Sequence, residues 1–488
     1  MAKKHAIIIG AGLGGLTAAI KLQEAGHTYD LLDRNPKVGG TWYENSYPGV
    51  ACDVPVALYQ LSFAQSINWT RAYPQGQEIQ AYAEEITDRY QLRPNLHLDD
   101  EAISAVWDEE AKKWTVKTAS GKTYTGDLLV GALGQLNRPF WPKIDGMGTF
   151  KGAKMHSARW DHSVSIEGKR VGVIGSAASA IQIIPEVAKV ASQLTVFQRT
   201  PNWVIPRRDV PISKQEQALM FTEPETAMEL ASRNRQLIFD NADHFFWQAF
   251  KWTPEGREAY TTIATNHLNE QVKDPELREK LTPDYPVGCR RILIADDYFP
   301  ALQRDNVELV TEGITSMDET GVTTKDGTHR EFDVLIFATG FETTGWNWTV
   351  DVQGKDGKHL GEVWADHPEA YVGITVNGFP NLFVLYGPNT NLGHNSITFM
   401  LERQVEYMVK ALDTLDEHDA SAMSPKKAAQ DRWNDEIQAQ LQKTVWADPA
   451  CNSWYKTDGG LITQNWGSHN RDYAKAVETV KVEDYELA

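Results

Sequence analysis

Two glycine turns 165 residues apart constrain this chain more than any other feature. In the first, the β-branched run His5–Ile9 enters Gly10-Ala-Gly12-Leu-Gly14-Gly15, and Leu16–Ala25 reads as a helix ending near Gly26. Thr28–Leu32 reads as a second strand, closed by Asp33 at 23 positions after Gly10. This is the pattern of a βαβ unit that holds a dinucleotide. Gly10 permits the tight turn, Gly12 lets backbone approach a pyrophosphate, and Gly15 lets the helix pack closely on the strand. The helix start supplies N–H donors and the positive end of a dipole. Asp33 can accept hydrogen bonds from ribose hydroxyls, and it would repel a 2′-phosphate.

The second turn repeats the plan with different residues. Arg170–Ile174 reads as a strand, Gly175-Ser176-Ala177-Ala178-Ser179-Ala180 as the turn, Ala180–Val190 as a helix and Gln193–Phe197 as the next strand. Ala177 and Ala180 stand where the first unit has glycine, so the methyl of Ala177 would hold a pyrophosphate slightly farther off. Arg199, 24 positions after Gly175, stands where a 2′-phosphate would lie, and a guanidinium there selects NADP over NAD. A second echo supports duplication. Lys113–Gly134 and Gly321–Gly340 each read as a hairpin, an Asp (Asp127, Asp333) and an apolar strand ending in Ala-x-Gly. The expected fold class is therefore α/β, with two Rossmann-like modules. Two different nucleotide turns in one chain, with Val38-Gly-Gly-Thr-Trp42 just after Asp33, suggest FAD in the first module and NADP in the second.

Composition excludes several alternatives. At 488 residues, the chain has room for about three compact units. Hydrophobic residues make up 41% of it, too many for whole-chain disorder. A net charge of −18 disfavours nucleic acid and anionic lipid as partners, so any phosphate must be held in a local pocket. No run approaches the ~20 apolar residues of a membrane span. The apolar N-terminal run is a phosphate-loop pattern rather than a signal peptide. Three cysteines, Cys52, Cys289 and Cys451, cannot make a disulfide framework, which fits a reducing, cytoplasmic setting. No metal-ligand spacing or Gly-x-Ser-x-Gly elbow occurs.

Residues 211–283 are rich in charges and helix formers and read as a helical insertion. Their aromatic cluster (Phe245, Phe246, Trp247, Phe250, Trp252) suits packing against a neighbouring domain. Further helices are expected around Thr398–Leu412 and Pro425–Val445.

Phe150-Lys-Gly152-Ala-Lys-Met-His156-Ser-Ala-Arg-Trp160-Asp161 resembles the FxGxxxHxxxW(P/D) fingerprint of type I Baeyer–Villiger monooxygenases. The likeness extends through "GGTWYENSYPGVACD" (39–53), "FQRTPNW" (197–203), "GCRR" (288–291), "ATGF" (338–341) and "NSWY" (452–455). The resemblance implies that NADPH reduces FAD, that dioxygen adds to give a C4a-peroxyflavin, and that a ketone becomes an ester or lactone through a Criegee adduct. It implies Arg291 as the catalytic arginine, a permanent cation that lowers the energy of anionic species, with Asp53 orienting it. It places Gly40, Thr41, Trp42 and Tyr59 at FAD, and Ala51, Cys52, Thr200 and Arg290 at NADP. Trp454 matches a tryptophan on a mobile loop that closes over the nicotinamide. His156 reads as holding domain geometry rather than as a base, and His394 is given no chemistry.

The expected layout is an FAD domain in two parts, residues 1–145 and 341–488, around an NADP domain at 146–210 and 284–340 that carries the insertion. The expected partners are a small ketone and dioxygen. The alternative is a related enzyme oxygenating sulfur or nitrogen, against which Trp160 and Asp161 argue. A disulfide reductase has the same two modules but needs a redox cysteine pair, and Cys52 stands alone.

Overall fold

A computed structural model describes residues 3–251, 253–343, 349–457 and 459–488. Trp252 and residues 344–348 therefore lie outside the described residues, as does Asp458. Two five-stranded, all-parallel sheets organise the molecule. The first runs Leu382–Val384, Leu128–Gly131, His5–Ile9, Thr28–Leu32, Leu96–His97 across its width. The second runs Ala153–His156, Val334–Phe337, Arg170–Ile174, Gln193–Phe197, Val307–Val310. The order is the same in both. What differs is the outermost strand beside the Ala-x-Gly strand, which arrives late in the chain in the first sheet and early in the second.

The strand nearest the glycine turn is apolar in both sheets because helices and a second layer cover both faces. Ile7 and Ile8 are fully buried, as are Val171 and Val173. The duplicated Asp has a duplicated use. Asp127 Oδ2 accepts from His5 N at 2.7 Å, and Asp333 Oδ2 accepts from Arg170 N at 2.8 Å. Each carboxylate thus pins the first residue of its module's central strand to the strand beside it. The hairpins expected before these residues are present, at Lys113–Thr118 with Thr123–Gly126 and at Gly321–Thr324 with His329–Glu331.

The helices that follow the two glycine turns are Leu13–Glu24 and Ala178–Val190, each starting two or three residues earlier than the sequence suggests. The two sheets carry separate cores, one around Ile8, Leu16, Val130 and Phe383, the other around Val171, Ile183, Val196 and Ile336. Trp42 packs against both. Between 214 and 281 the described residues form the α-helices Lys214–Thr222, Pro224–His244, Pro254–Gln271 and Pro275–Leu281, with a short 3-10 helix at Phe246–Phe250. Trp247 and Phe250 are buried there, with ring centroids 6.2 and 5.5 Å from Trp446. Phe245, in contrast, is 61% exposed. The later helices span Ile397–Glu417 and Lys427–Leu441. No helix among the described residues is long and apolar enough to cross a membrane.

One sequence expectation is corrected. Cys289 and Cys451 are not isolated but joined by a disulfide, their Cα atoms 5.3 Å apart across 162 residues of chain. Sequence distance concealed the contact, and a chain with this disulfide no longer points to a reducing compartment. Cys52 is the free, buried cysteine.

Candidate active site

A cavity of about 1060 Å³ is lined by residues of both glycine turns. Gly10 has φ +108° and Gly175 φ +119°, in the region that favours glycine. A Cβ would stand 2.4 Å from Ala132 O in the first turn and 2.3 Å from Ala338 O in the second. Both turns therefore press against the Ala-x-Gly strand end that each module repeats. At Gly15 a Cβ would fall 1.8 Å from Gly10 O, so this glycine serves the close packing of helix on turn. Gly15 and its counterpart Ala180 do not line the cavity; Gly12, Ser176, Ala177, Ala178 and Ser179 do. Ala177 takes the same extended backbone as Gly12, so only closeness to a ligand separates the two positions.

The donor chemistry of these turns fits phosphate. Neither helix has a side-chain cap or an acidic residue in its first turn, which leaves the N-terminal N–H groups and the positive dipole end facing the cavity. Asp33 is 8% exposed and lines the cavity. Its oxygens accept from Ala11 N at 2.6 Å and Asn35 N at 2.8 Å, tying the loop to the end of the second strand. Burial pushes its pKa up, opposed by those two bonds. Arg199 is exposed at the rim and makes no hydrogen bond or ion pair among the described residues. Beside it, Ser176 Oγ donates to Thr200 O at 3.1 Å, so the second turn and the Arg199 segment hold each other.

Gly40, Thr41 and Trp42 line the cavity at the start of a short helix, Thr41–Glu44. Trp42 Nε1 donates to the Tyr59 hydroxyl at 3.1 Å, and the two rings meet edge-on. Ala51 and Cys52 follow on the same wall. Burial, the largest effect, and the Asp53 carboxylate push the Cys52 thiol well up, so it stays protonated and is no nucleophile.

Arg291 and Asp53 form a bidentate pair, Nε to Oδ2 at 2.5 Å and Nη2 to Oδ1 at 2.6 Å. Their side chains are 34% and 27% exposed, and both line the cavity. Burial alone would raise the Asp53 pKa; the Arg291 guanidinium, helped by Arg207, more than offsets it and holds the carboxyl below its usual range. Arg291 is held in the charged form by the same pairing. A planar fork locked by two parallel hydrogen bonds leaves its remaining N–H donors at a fixed bearing.

Further side chains complete this wall. Tyr455 and Tyr386 stand close enough to feel the Arg291 charge, and burial pushes the Tyr455 hydroxyl up to about 12. The Tyr386 hydroxyl donates to Asn391 Oδ1 at 2.6 Å, from a residue with φ +59°. Gln182, on the second module's helix, accepts from the Tyr47 hydroxyl at 2.9 Å and donates to Ala51 O at 3.0 Å, spanning the two modules. Outside the cavity lining, Arg207 Nη2 donates to Cys52 O at 3.4 Å. Sequence reasoning singled out none of Tyr386, Gln182 and Arg207. Tyr455 ends the Asn452–Tyr455 stretch of the family likeness, which assigns it no role. Trp454 is 38% exposed at the cavity edge, and Arg290 Nε donates to Asn452 O at 3.1 Å.

The fingerprint lies elsewhere. His156, Trp160 and Asp161 do not line the cavity. His156 ends the edge strand Ala153–His156, fully buried, with its pKa lowered by burial to about 4. It is a neutral packing residue at ordinary pH. His394 is likewise buried, 3.6 Å from Asp243, with its ring tilted against that of Trp247 at 4.8 Å between centroids, and neither it nor the aromatics Phe245, Phe246, Trp247 and Phe250 line the cavity.

Residues 7–215 match the family model described as pyridine nucleotide-disulphide oxidoreductase, a stretch that contains both glycine turns. A Baeyer–Villiger monooxygenase of Streptomyces coelicolor is 40% identical over 98% of this chain and 92% of its own length. Another, of Pseudomonas aeruginosa, is 38% identical over 92% of this chain and 84% of its own. Among solved structures, a steroid monooxygenase bound to NADP matches with a TM-score of 0.87 and 31% identity over 100% of this chain and 99% of that one. The closed form of cyclohexanone monooxygenase matches at 0.88 and 28% over the same shares. By near-full-length likeness to such relatives, the chain belongs to the Baeyer–Villiger monooxygenases.

Proposed function

We propose that this protein uses NADPH and dioxygen to convert ketones to esters or lactones, with FAD held by the first glycine module and NADPH by the second. The single observation that carries the reading is the Arg291–Asp53 pair standing in a cavity that both glycine turns line. The bound flavin, once reduced by NADPH, supplies the activated oxygen. What this chain's residues add is position and charge. The first turn and Asp33 hold one dinucleotide; the second turn, Thr200 and Arg199 hold the other, with Arg199 on the 2′-phosphate. Arg291 presents fixed donors to the oxyanion that develops on the ketone carbonyl, and it does so without surrendering a proton. Asp53 positions that fork. Trp454 and Tyr455 keep water from the nicotinamide side.

In this reading, residues 1–145 and 341–488 form the FAD domain. Residues 146–210 and 284–340 form the NADP domain, with 211–283 inserted in it. The test is product mass after incubating purified protein with NADPH, air and a panel of linear ketones, cyclic ketones and a thioether. Ester or lactone with one added oxygen is the expected product. Sulfoxide alone, with every ketone untouched, would replace the ketone assignment with sulfur oxygenation.

A further inference from the structure

The Cys289–Cys451 bond lies behind the wall of the site just described, next in sequence to residues that line it. Cys289 is two residues before Arg291, and Cys451 is three before Trp454. Two hydrogen bonds flank it and join the same two segments: Trp446 Nε1 to Gly288 O at 3.1 Å and Arg290 Nε to Asn452 O at 3.1 Å. The turn that carries Arg291 and the segment that carries Trp454 and Tyr455 are thus fastened at three successive points. Past the last of these, Asn452, Ser453, Trp454 and Tyr455 all line the cavity. The segment is held again where Thr463 N donates to Tyr455 O at 3.1 Å. Hydrogen bonds of this kind open and close with the loop. The sulfur–sulfur bond does not.

We infer that the Cys289–Cys451 disulfide is a positioning element for catalysis: it fixes the start of the 452–455 segment beside Arg291, so that breaking it lets that segment lift from the nicotinamide side of the cavity. The inference rests on the roles proposed above for Arg291 and Trp454. Cys289 and Cys451 are 0% and 1% exposed and touch neither the cavity nor a substrate, so they act through their neighbours. In the oxidised protein only the part of the segment beyond Asn452 is free to swing. In the dithiol protein the whole segment is held by hydrogen bonds alone, and water reaches the reacting centre more often.

The experiment uses the FAD-loaded protein, as isolated and after treatment with a phosphine. The phosphine takes an oxygen atom from water, the S–S bond breaks, and each sulfur gains one hydrogen. Alkylation after denaturation without reductant should label one cysteine, Cys52, in the untreated protein and three in the treated one; three labels in both would overturn the inference. Three readouts are then compared: ester formed per NADPH consumed, hydrogen peroxide released, and the rate of NADP⁺ release. Reduction should raise NADPH consumed per ester by about threefold or more and speed NADP⁺ release by a similar factor. The C451S variant should behave like the reduced protein and ignore the phosphine. Unchanged coupling and unchanged NADP⁺ release in the reduced protein would sink the proposal. NADP⁺ release does not depend on ketone chemistry. If Arg291→Ala kept making ester while reduction still sped NADP⁺ release, the role of Arg291 would fall and the clip would stand.

Discussion

The two glycine modules share a strand order, a turn geometry and a pinning aspartate, and they differ where a ligand would touch them. The first has Gly12 at the point of closest approach and a buried Asp33 already bonded to its own loop. The second has Ala177 there, and an exposed, unpartnered Arg199 at the rim. One module is finished on the inside and the other is open at its edge. That is the contrast expected between a nucleotide that stays and one that must come and go each cycle. The scaffold repeats because sheet packing repeats, while the contact residues diverge because the tasks do.

The largest expected effect cuts across both modules. Arg291→Ala should lower ester formation by about a thousandfold or more while NADPH still reduces the flavin, since neither glycine turn is touched. Single-turnover flavin reduction beside product analysis checks it, and sustained ester output would break the assignment.

The second effect concerns stability and belongs to the second module. His156 takes the sheet position that Val384 takes in the first, as the two edge-strand registers show. Its pKa is lowered by burial to about 4, below the ordinary 6.5, so the unfolded chain binds the extra proton first. Stability is therefore full above pH 6.5 and falls as pH drops towards 4, by up to about 3 kcal/mol. Thermal melts from pH 7.5 to 4.5 should show this fall, and His156→Phe should flatten it. An unaltered acid limb in that variant would assign the loss to other groups.

Cofactor choice is a smaller matter. Arg199→Ala should raise the KM for NADPH about tenfold or more and leave that for NADH nearly unmoved. Equal shifts for both would mean that Arg199 does not read the 2′-phosphate. Smallest is Ala177→Gly, which makes the second turn resemble the first. It should tighten NADP⁺ binding by at most a fewfold, measured by titration of the FAD-loaded protein, because the backbone conformation is already the one glycine has at residue 12.

Features set by local chemistry were legible in the sequence. The turns at Gly10 and Gly175, the strands leading into them, the hairpins and the aspartates Asp127 and Asp333 all follow from short-range pattern. Arg291 and Asp53 were reachable only through family likeness, because 238 residues separate them and nothing local marks either one. What stayed hidden depends on distant segments meeting. Gln182 reads as an ordinary helix residue until the 47–51 wall packs against it. Tyr386 takes a left-handed turn that no glycine announces. Cys289 and Cys451 look solitary because pairing is a property of the folded chain.

The edge strands also fix an order of assembly. Every strand of the second sheet lies between Ala153 and Phe337, so that sheet can be complete before the chain's last third exists. The first sheet starts at His5 yet needs Leu382–Val384 to cover its outer strand, Leu128–Gly131. During synthesis from the N-terminus, the module that begins first is thus the last to close. Until residue 384 emerges, an apolar strand edge waits unpaired, and a truncation anywhere between 338 and 381 would leave one whole nucleotide module beside one permanently open sheet.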